Sequence, residues 1–207
     1  MKNSVYLIIL LALGLVVVSY KWAFKPSSEN TVNMDNTAIE NIMTRSSVRA
    51  YTDRDVTEEQ VDTLLRAAMA APTAGNKQPW RFVVIRDRET RSWISDNFQS
   101  MTMVSKAPLA IVVCGDVDAT FPGEGREYWA QDASAATENL LLAAHAMGLG
   151  AVWCGIYPMS ERVDSFSAKL GLPSNVLPLC CVAIGYPSTK PTPKDKWHPE
   201  YVHYDKW

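Results

Sequence analysis

Two arginines stand four residues apart, Arg45 and Arg49, with hydroxyls at Ser46 and Ser47 between them. Guanidinium groups offer bidentate, charge-assisted hydrogen bonds, and hydroxyls fill the acceptor positions that remain on a phosphate. The pattern suits a doubly charged phosphate. Its plainer reading is a solvated helix end, where arginine is favourable in any case. After a helical stretch come Pro72, Thr73, Ala74, Gly75, Asn76, Lys77, Gln78, Pro79 and Trp80. A polar turn of this kind presents backbone groups and the amides of Asn76 and Gln78 to the edge of a flat heterocycle. A surface turn is the alternative here, since Gly, Asn and Pro are common in turns for conformational reasons.

These groups need a framework, and the chain supplies one. At 207 residues, with 47% apolar and 20% charged residues, it is long enough for one domain with a sizeable core. A net charge of -2 implies no general polyanion-binding surface. Basic and aromatic residues do not interleave over a long face, which argues against nucleic acid as a partner. Cys114, Cys154, Cys180 and Cys181 sit inside apolar, strand-like runs and read as buried small hydrophobes, with a catalytic thiol at Cys154 as the weaker alternative. No metal-ligand spacing of cysteines, Gly-rich phosphate loop or HExxH pattern is present.

Element signals follow the chain. Thr37 with Glu40 opens a short helix, with Ile39, Ile42 and Met43 on an apolar face, that delivers the chain to Arg45. Thr57 to Gln60 forms a second capping box. Val61, Leu64, Leu65 and Ala68 then trace a helix that Pro72 ends. Strands are expected from Trp80 to Ile85, Leu109 to Cys114, Gly150 to Pro158 and Leu177 to Ile184. Helices are expected from Arg88 to Phe98, from Trp129 to Met147 and from Ser160 to Leu170. Thr120 to Gly125 reads as a loop. The long helix carries Trp129, Ala133, Ala136, Leu140, Ala144 and Met147 on one stripe, and Gly148 ends it. Asp132 and Ser134 on this helix are expected to be solvated, and His145 to be a satisfied packing residue. The tail, with Tyr201, Tyr204 and Trp207, is too aromatic to be free and is expected to pack.

Asn3 to Tyr20 carries no charge and, at ~1.5 Å per residue, makes a helix of roughly 27 Å. Residues 1–24 therefore read as a signal-anchor or signal peptide, and 25–35 as a flexible linker. The expected location is membrane-anchored or exported, in a bacterial-type envelope, with the side of the membrane open.

The Arg-x-Ser-x-Arg pattern at Arg45–Arg49 and the Pro-Thr-x-x-Asn-x-Gln-Pro-Trp pattern at Pro72–Trp80 stand at a spacing that resembles the nitroreductase family. The resemblance spans roughly residues 36–207. It implies an α+β fold in which helices flank a mixed central sheet, in an intertwined homodimer with FMN at the interface. By resemblance, Lys194 and Lys196 match a basic pair that reaches the same phosphate as Arg45, Ser46, Ser47 and Arg49. Pro72, Thr73, Ala74, Asn76 and Gln78 meet the flavin, partly from the neighbouring subunit. Trp153, Cys154, Gly155 and Ile156 line one face of the ring, with Gly155 allowing close backbone approach. No protein residue is implied as catalytic, because FMN carries the chemistry. The implied activity passes electrons from NAD(P)H through FMN to a small nitroaromatic or quinone-like acceptor in a ping-pong cycle. A flavin-dependent reductive dehalogenase of the same fold and a membrane-tethered, non-catalytic flavin- or phosphate-binding module remain as alternatives.

Overall fold

Four apolar stretches pair edge to edge in a computed structural model that describes residues 38–207. The expected anchor at 1–24, the linker at 25–35 and the Thr37 cap lie outside the described residues. The chain divides into units Met1–Glu40 and Asn41–Trp207. Strands β1 (Trp80–Ile85), β2 (Leu109–Asp116), β3 (Gly150–Gly155) and β4 (Val176–Gly185) form one sheet in the order β1-β2-β4-β3. Every named pair in it is antiparallel.

The two central strands explain their own composition. β2 and β4 are covered on both faces, so both of their faces must be apolar. Leu109, Ile111 and Val113 enter one core, while Ala110, Val112 and Cys114 enter the other. Helices α2 (Glu58–Met69) and α4 (Tyr128–Ala146) cover the first face. The second is covered by α3 (Arg88–Asn97), a 3-10 stretch at Gln99–Lys106 and α5 (Ser160–Leu170), which contribute Ile94, Met101, Val104 and Phe166. Helix α1 (Ala38–Thr44) leads into the arginine segment. Its Ile39, Ile42 and Met43 are exposed.

Local signals set the helix ends. The Thr57 hydroxyl accepts from the Gln60 amide at 3.2 Å, and the Gln60 side chain accepts from the Thr57 amide at 3.1 Å, a complete capping box. Along α4, Trp129, Ala133, Ala136, Leu140 and Ala144 are buried as their spacing requires. Trp129 lies against β2, and a Cβ placed on Gly115 would be 2.4 Å from its ring. The architecture is α+β, as expected. The parallel component of the expected mixed sheet is confined to a single bridge between Ser47 and Ala151.

That bridge positions the arginine segment. Residues 45–52 run along the free edge of β3, with the Val48 amide donating to the Ala151 carbonyl at 3.0 Å. The same segment is tied to the chain leaving β4. The Thr52 amide donates to Tyr186 at 2.9 Å, and the Ser188 amide donates to Ala50 at 3.1 Å. The Tyr51 hydroxyl donates to the Val48 carbonyl at 2.6 Å and lies 3.2 Å from that of Ala183. Gly150 makes the approach possible, because a Cβ there would sit 2.6 Å from the Val48 Cβ. Gly150→Ala is therefore expected to destabilise the fold by about 1–3 kcal/mol through overpacking. A urea denaturation midpoint equal to that of the parent chain would contradict this packing.

Candidate active site

Clamped in this way, the arginine segment and the chain after β4 enclose a cavity of about 440 Å³. Arg45, Ser46, Ser47, Arg49, Lys194 and Lys196 all line it, so the two ends of the domain meet there. Lys190 lines it as well, a fifth cation that the sequence reasoning missed. Its only advance signal was its place in the same basic loop. No acidic side chain is part of the lining. The nearest carboxylate partner shown is Glu138 on α4, 3.5 Å from the Arg45 Nε. The Glu138 side chain is half exposed, so this pair neutralises Arg45 only weakly. Five cations without an acid in the lining give this cavity a positive potential.

The Thr73–Gln78 loop does not reach this cavity. None of Pro72, Thr73, Ala74, Asn76 or Gln78 lines it. The loop is fixed to the front of α4, where the Ala74 amide donates to the Asp132 Oδ1 at 2.9 Å. The cationic segment is fixed to the back half of the same helix. Asn41 Nδ2 donates to the Leu142 carbonyl at 3.0 Å, and the Thr44 hydroxyl is 2.9 Å from the His145 Nε2. At ~1.5 Å per residue, these anchors lie roughly 15–20 Å from Asp132 along the axis. The loop and the cationic segment are thus anchored at separate places on one helix.

The loop itself is unusual. Gly75, Asn76 and Gln78 all have positive φ, at 54°, 55° and 51°. Glycine takes this conformation freely and asparagine tolerates it, but glutamine rarely adopts it. Three contacts hold it there. The Gln78 amide donates to the Thr73 hydroxyl at 3.1 Å, the Gln78 side chain donates to the Asn76 Oδ1 at 2.9 Å, and Arg81 Nη1 donates to the Gln78 carbonyl at 3.3 Å. Arg81 is held in turn by Asp116 at 2.8 Å. Residues 75, 76 and 78 project into solvent.

The 153–156 segment is split by strand alternation. Gly155 is exposed, and a Cβ there would meet nothing within 4 Å. Its carbonyl accepts from Arg162 Nη1 at 2.7 Å. Trp153 is half-buried against the first core. Cys154 and Ile156 are buried in or beside the second, so of the four expected ring-lining residues only Gly155 and part of Trp153 are open to a ligand. Asp132 departs from its expected solvation. It is 5% exposed, and its Oδ2 has no partner. His145 is a half-buried, hydrogen-bonded side chain, as expected. Burial, with Arg45 nearby, holds its imidazole below the usual range. The aromatic tail does not pack on its own chain: Trp197, Tyr201, Tyr204 and Trp207 are 69% to 100% exposed.

The site thus consists of a cavity lined by five cations, a polar loop with three positive-φ residues and an exposed backbone glycine. The chain belongs to the nitroreductase family, whose model matches residues 42–116 and 97–186. A relative from Archaeoglobus fulgidus, named "Putative NADH dehydrogenase/NAD(P)H nitroreductase", is 43% identical over 170 residues, covering 80% of this chain and 96% of its own. A Parabacteroides distasonis structure of a protein with the same name has a TM-score of 0.79 at 40% identity, covering 83% of this chain and 99% of that one. A Desulfovibrio desulfuricans structure, a "putative nitroreductase in complex with fmn", has a TM-score of 0.70 at 31% identity over 83% and 98% of the two chains.

These findings correct the expected membrane-anchored or exported location. No helix among the described residues is long and apolar enough to cross a membrane. The Archaeoglobus relative is matched over 96% of its length, which leaves it no stretch comparable to residues 1–24.

The thiols do not supply a nucleophile. Burial pushes Cys154 up to about 11, against the opposing fields of Arg49 and Arg162, and Cys114 up to about 12. Burial raises Cys180 and Cys181 as well. At about pH 8, roughly a thousandth of Cys154 is thiolate. The native chain is therefore expected to release no fast equivalent of a disulfide reagent, and four equivalents after denaturation, matching its four free cysteines. Rapid labelling of Cys154 in the folded chain would contradict its placement.

Proposed function

We propose that this chain is an FMN-dependent NAD(P)H oxidoreductase that works as a homodimer and delivers electrons to a small nitroaromatic or quinone-like acceptor. The convergence of Arg45, Arg49, Lys190, Lys194 and Lys196 on one acid-free cavity carries the reading. Such a cluster fits the dianionic phosphate of FMN in charge and in donor geometry. Membership of the nitroreductase family supports the same cofactor and donor.

Each group then has a physical task. Arg45 and Arg49 grip the phosphate with paired donors, the lysines add point charge, and Ser46 and Ser47 fill its remaining acceptor positions. The exposed Gly155 lets backbone lie against the ring. Asn76 and Gln78 present amides to the ring edge. Because they do not line the cation cavity of their own chain, they serve the cofactor held by a second copy. The uncovered aromatic tail supports such a partner, since exposed Trp and Tyr side chains are typical interface anchors. Bound FMN supplies the hydride chemistry, accepting reducing equivalents from NAD(P)H and passing them to the acceptor. The chain orients both reactants in turn, which gives ping-pong kinetics with parallel double-reciprocal lines.

Arg45→Ala combined with Arg49→Ala is expected to weaken FMN binding roughly 100-fold, because two charge-assisted hydrogen bonds are lost at about 1.5 kcal/mol each. The variant should elute colourless from gel filtration with its fold intact by circular dichroism. Full retention of yellow colour would overturn the phosphate site.

The two-chain reading has its own test. The Arg45→Ala, Arg49→Ala chain is mixed with an Asn76→Ala chain under conditions that exchange subunits, and NADPH oxidation is measured with a quinone. If each site draws on both copies, the mixed dimer contains one intact site and activity rises above that of either variant alone. A mixture no more active than its components would place the loop and the cations in the same chain's site.

A further inference from the structure

We propose that Asp132 is a positioning residue for the cofactor ring, setting the ring-edge loop from beneath and acting independently of the phosphate cluster. The inference rests on the reading of that loop as part of an FMN site.

Three observations carry it. Asp132 is a 5% exposed carboxylate near the start of α4, between the buried Trp129 and Ala136. Its Oδ1 accepts the Ala74 amide at 2.9 Å, immediately before the positive-φ run that begins at Gly75. Its Oδ2 is buried and has no hydrogen-bond partner. A buried carboxylate with one oxygen unmet is a poor stabilising device, because desolvation of the charge is only half compensated. A residue retained for stability alone would be better replaced by an apolar one of similar volume. What the carboxylate does achieve is geometric. It fixes the start of the loop, and the Thr73 hydroxyl fixes its end through the Gln78 amide. Backbone conformations as rare as that of Gln78 persist only where their surroundings over-determine them. Asp132 constrains the start of the loop from outside it, as Arg81 does the end through the Gln78 carbonyl.

Positioning of the ring and gripping of the phosphate are separable by ligand. Riboflavin has the ring without the phosphate, so binding of FMN and riboflavin to the dimer is measured by fluorescence quenching for the parent chain, Asp132→Leu, Asp132→Asn and Arg45→Ala. Asp132→Leu is expected to weaken both flavins about tenfold, with an apo melting temperature no lower than the parent's, since the unmet oxygen is also removed. Asp132→Asn keeps an acceptor for the Ala74 amide and should restore both affinities to within about threefold. Arg45→Ala should weaken FMN alone. Unchanged flavin affinities in Asp132→Leu would overturn the inference. So would a large fall in its melting temperature that accounts for the lost binding and is shared by Asp132→Asn. A parent chain that takes up neither flavin would overturn the FMN reading itself, an outcome distinct from both.

Discussion

Five cations held around one cavity repel one another, and the structure depends on what keeps them there. Two unit charges ~6 Å apart at an effective dielectric of ~20 repel by roughly 3 kcal/mol. No acid lines the cavity to offset this, and Glu138 touches only Arg45, from an exposed position. The restraint comes from backbone. Ser47 and Val48 pair with Ala151 on the free edge of β3, while Ala50, Tyr51 and Thr52 pair with the chain leaving β4. Side-chain repulsion cannot easily undo hydrogen bonds made by main-chain groups on both sides. The arginine segment is thus held in place before any ligand is present.

The same logic explains the role of α4. Its small residues let it lie close against β2 and β3, where Trp129 meets Gly115 and Ala144 helps close the first core. A helix packed this tightly fixes everything bonded to its two ends. Asp132 holds the loop near the beginning, and Glu138, Leu142 and His145 hold the arginine segment further on. One helix thus fixes both segments relative to the sheet, each through its own hydrogen bonds.

Much of this was legible in the sequence, for physical reasons that differ by element. Helices α2 and α4 were plain because capping and periodicity are local. Arg45 to Arg49 stood out by residue type, although a solvated helix end was the plainer reading of that segment alone, and the structure places these residues on one cavity. Lys194 and Lys196 joined it only through the family resemblance, since nothing local ties residue 194 to residue 45. That link is made by backbone pairing at Tyr51 and Pro187, which leaves no residue signature. The sheet order β1-β2-β4-β3 was hidden for the same reason. Asp132 was misjudged because its partner is a main-chain amide, and composition cannot show which carboxylate a distant amide will meet. The apolar run at 1–24 misled the expected location, because length and hydropathy do not report on the domain that follows.

The distribution of polarity across the domain completes the argument. The thiols are buried and raised, and His145 is tied to Thr44, with burial and Arg45 holding its imidazole below the usual range. The charged and strained features lie instead at the cation cavity and the Thr73–Gln78 loop. A protein whose own side chains perform the chemistry would be expected to perturb an acid or a base toward neutrality inside its cleft. The strain of this chain lies in its polar loop and its uncompensated charge in the cation cavity. Such a distribution is the one required when a bound cofactor supplies the reactive atoms and the protein supplies geometry.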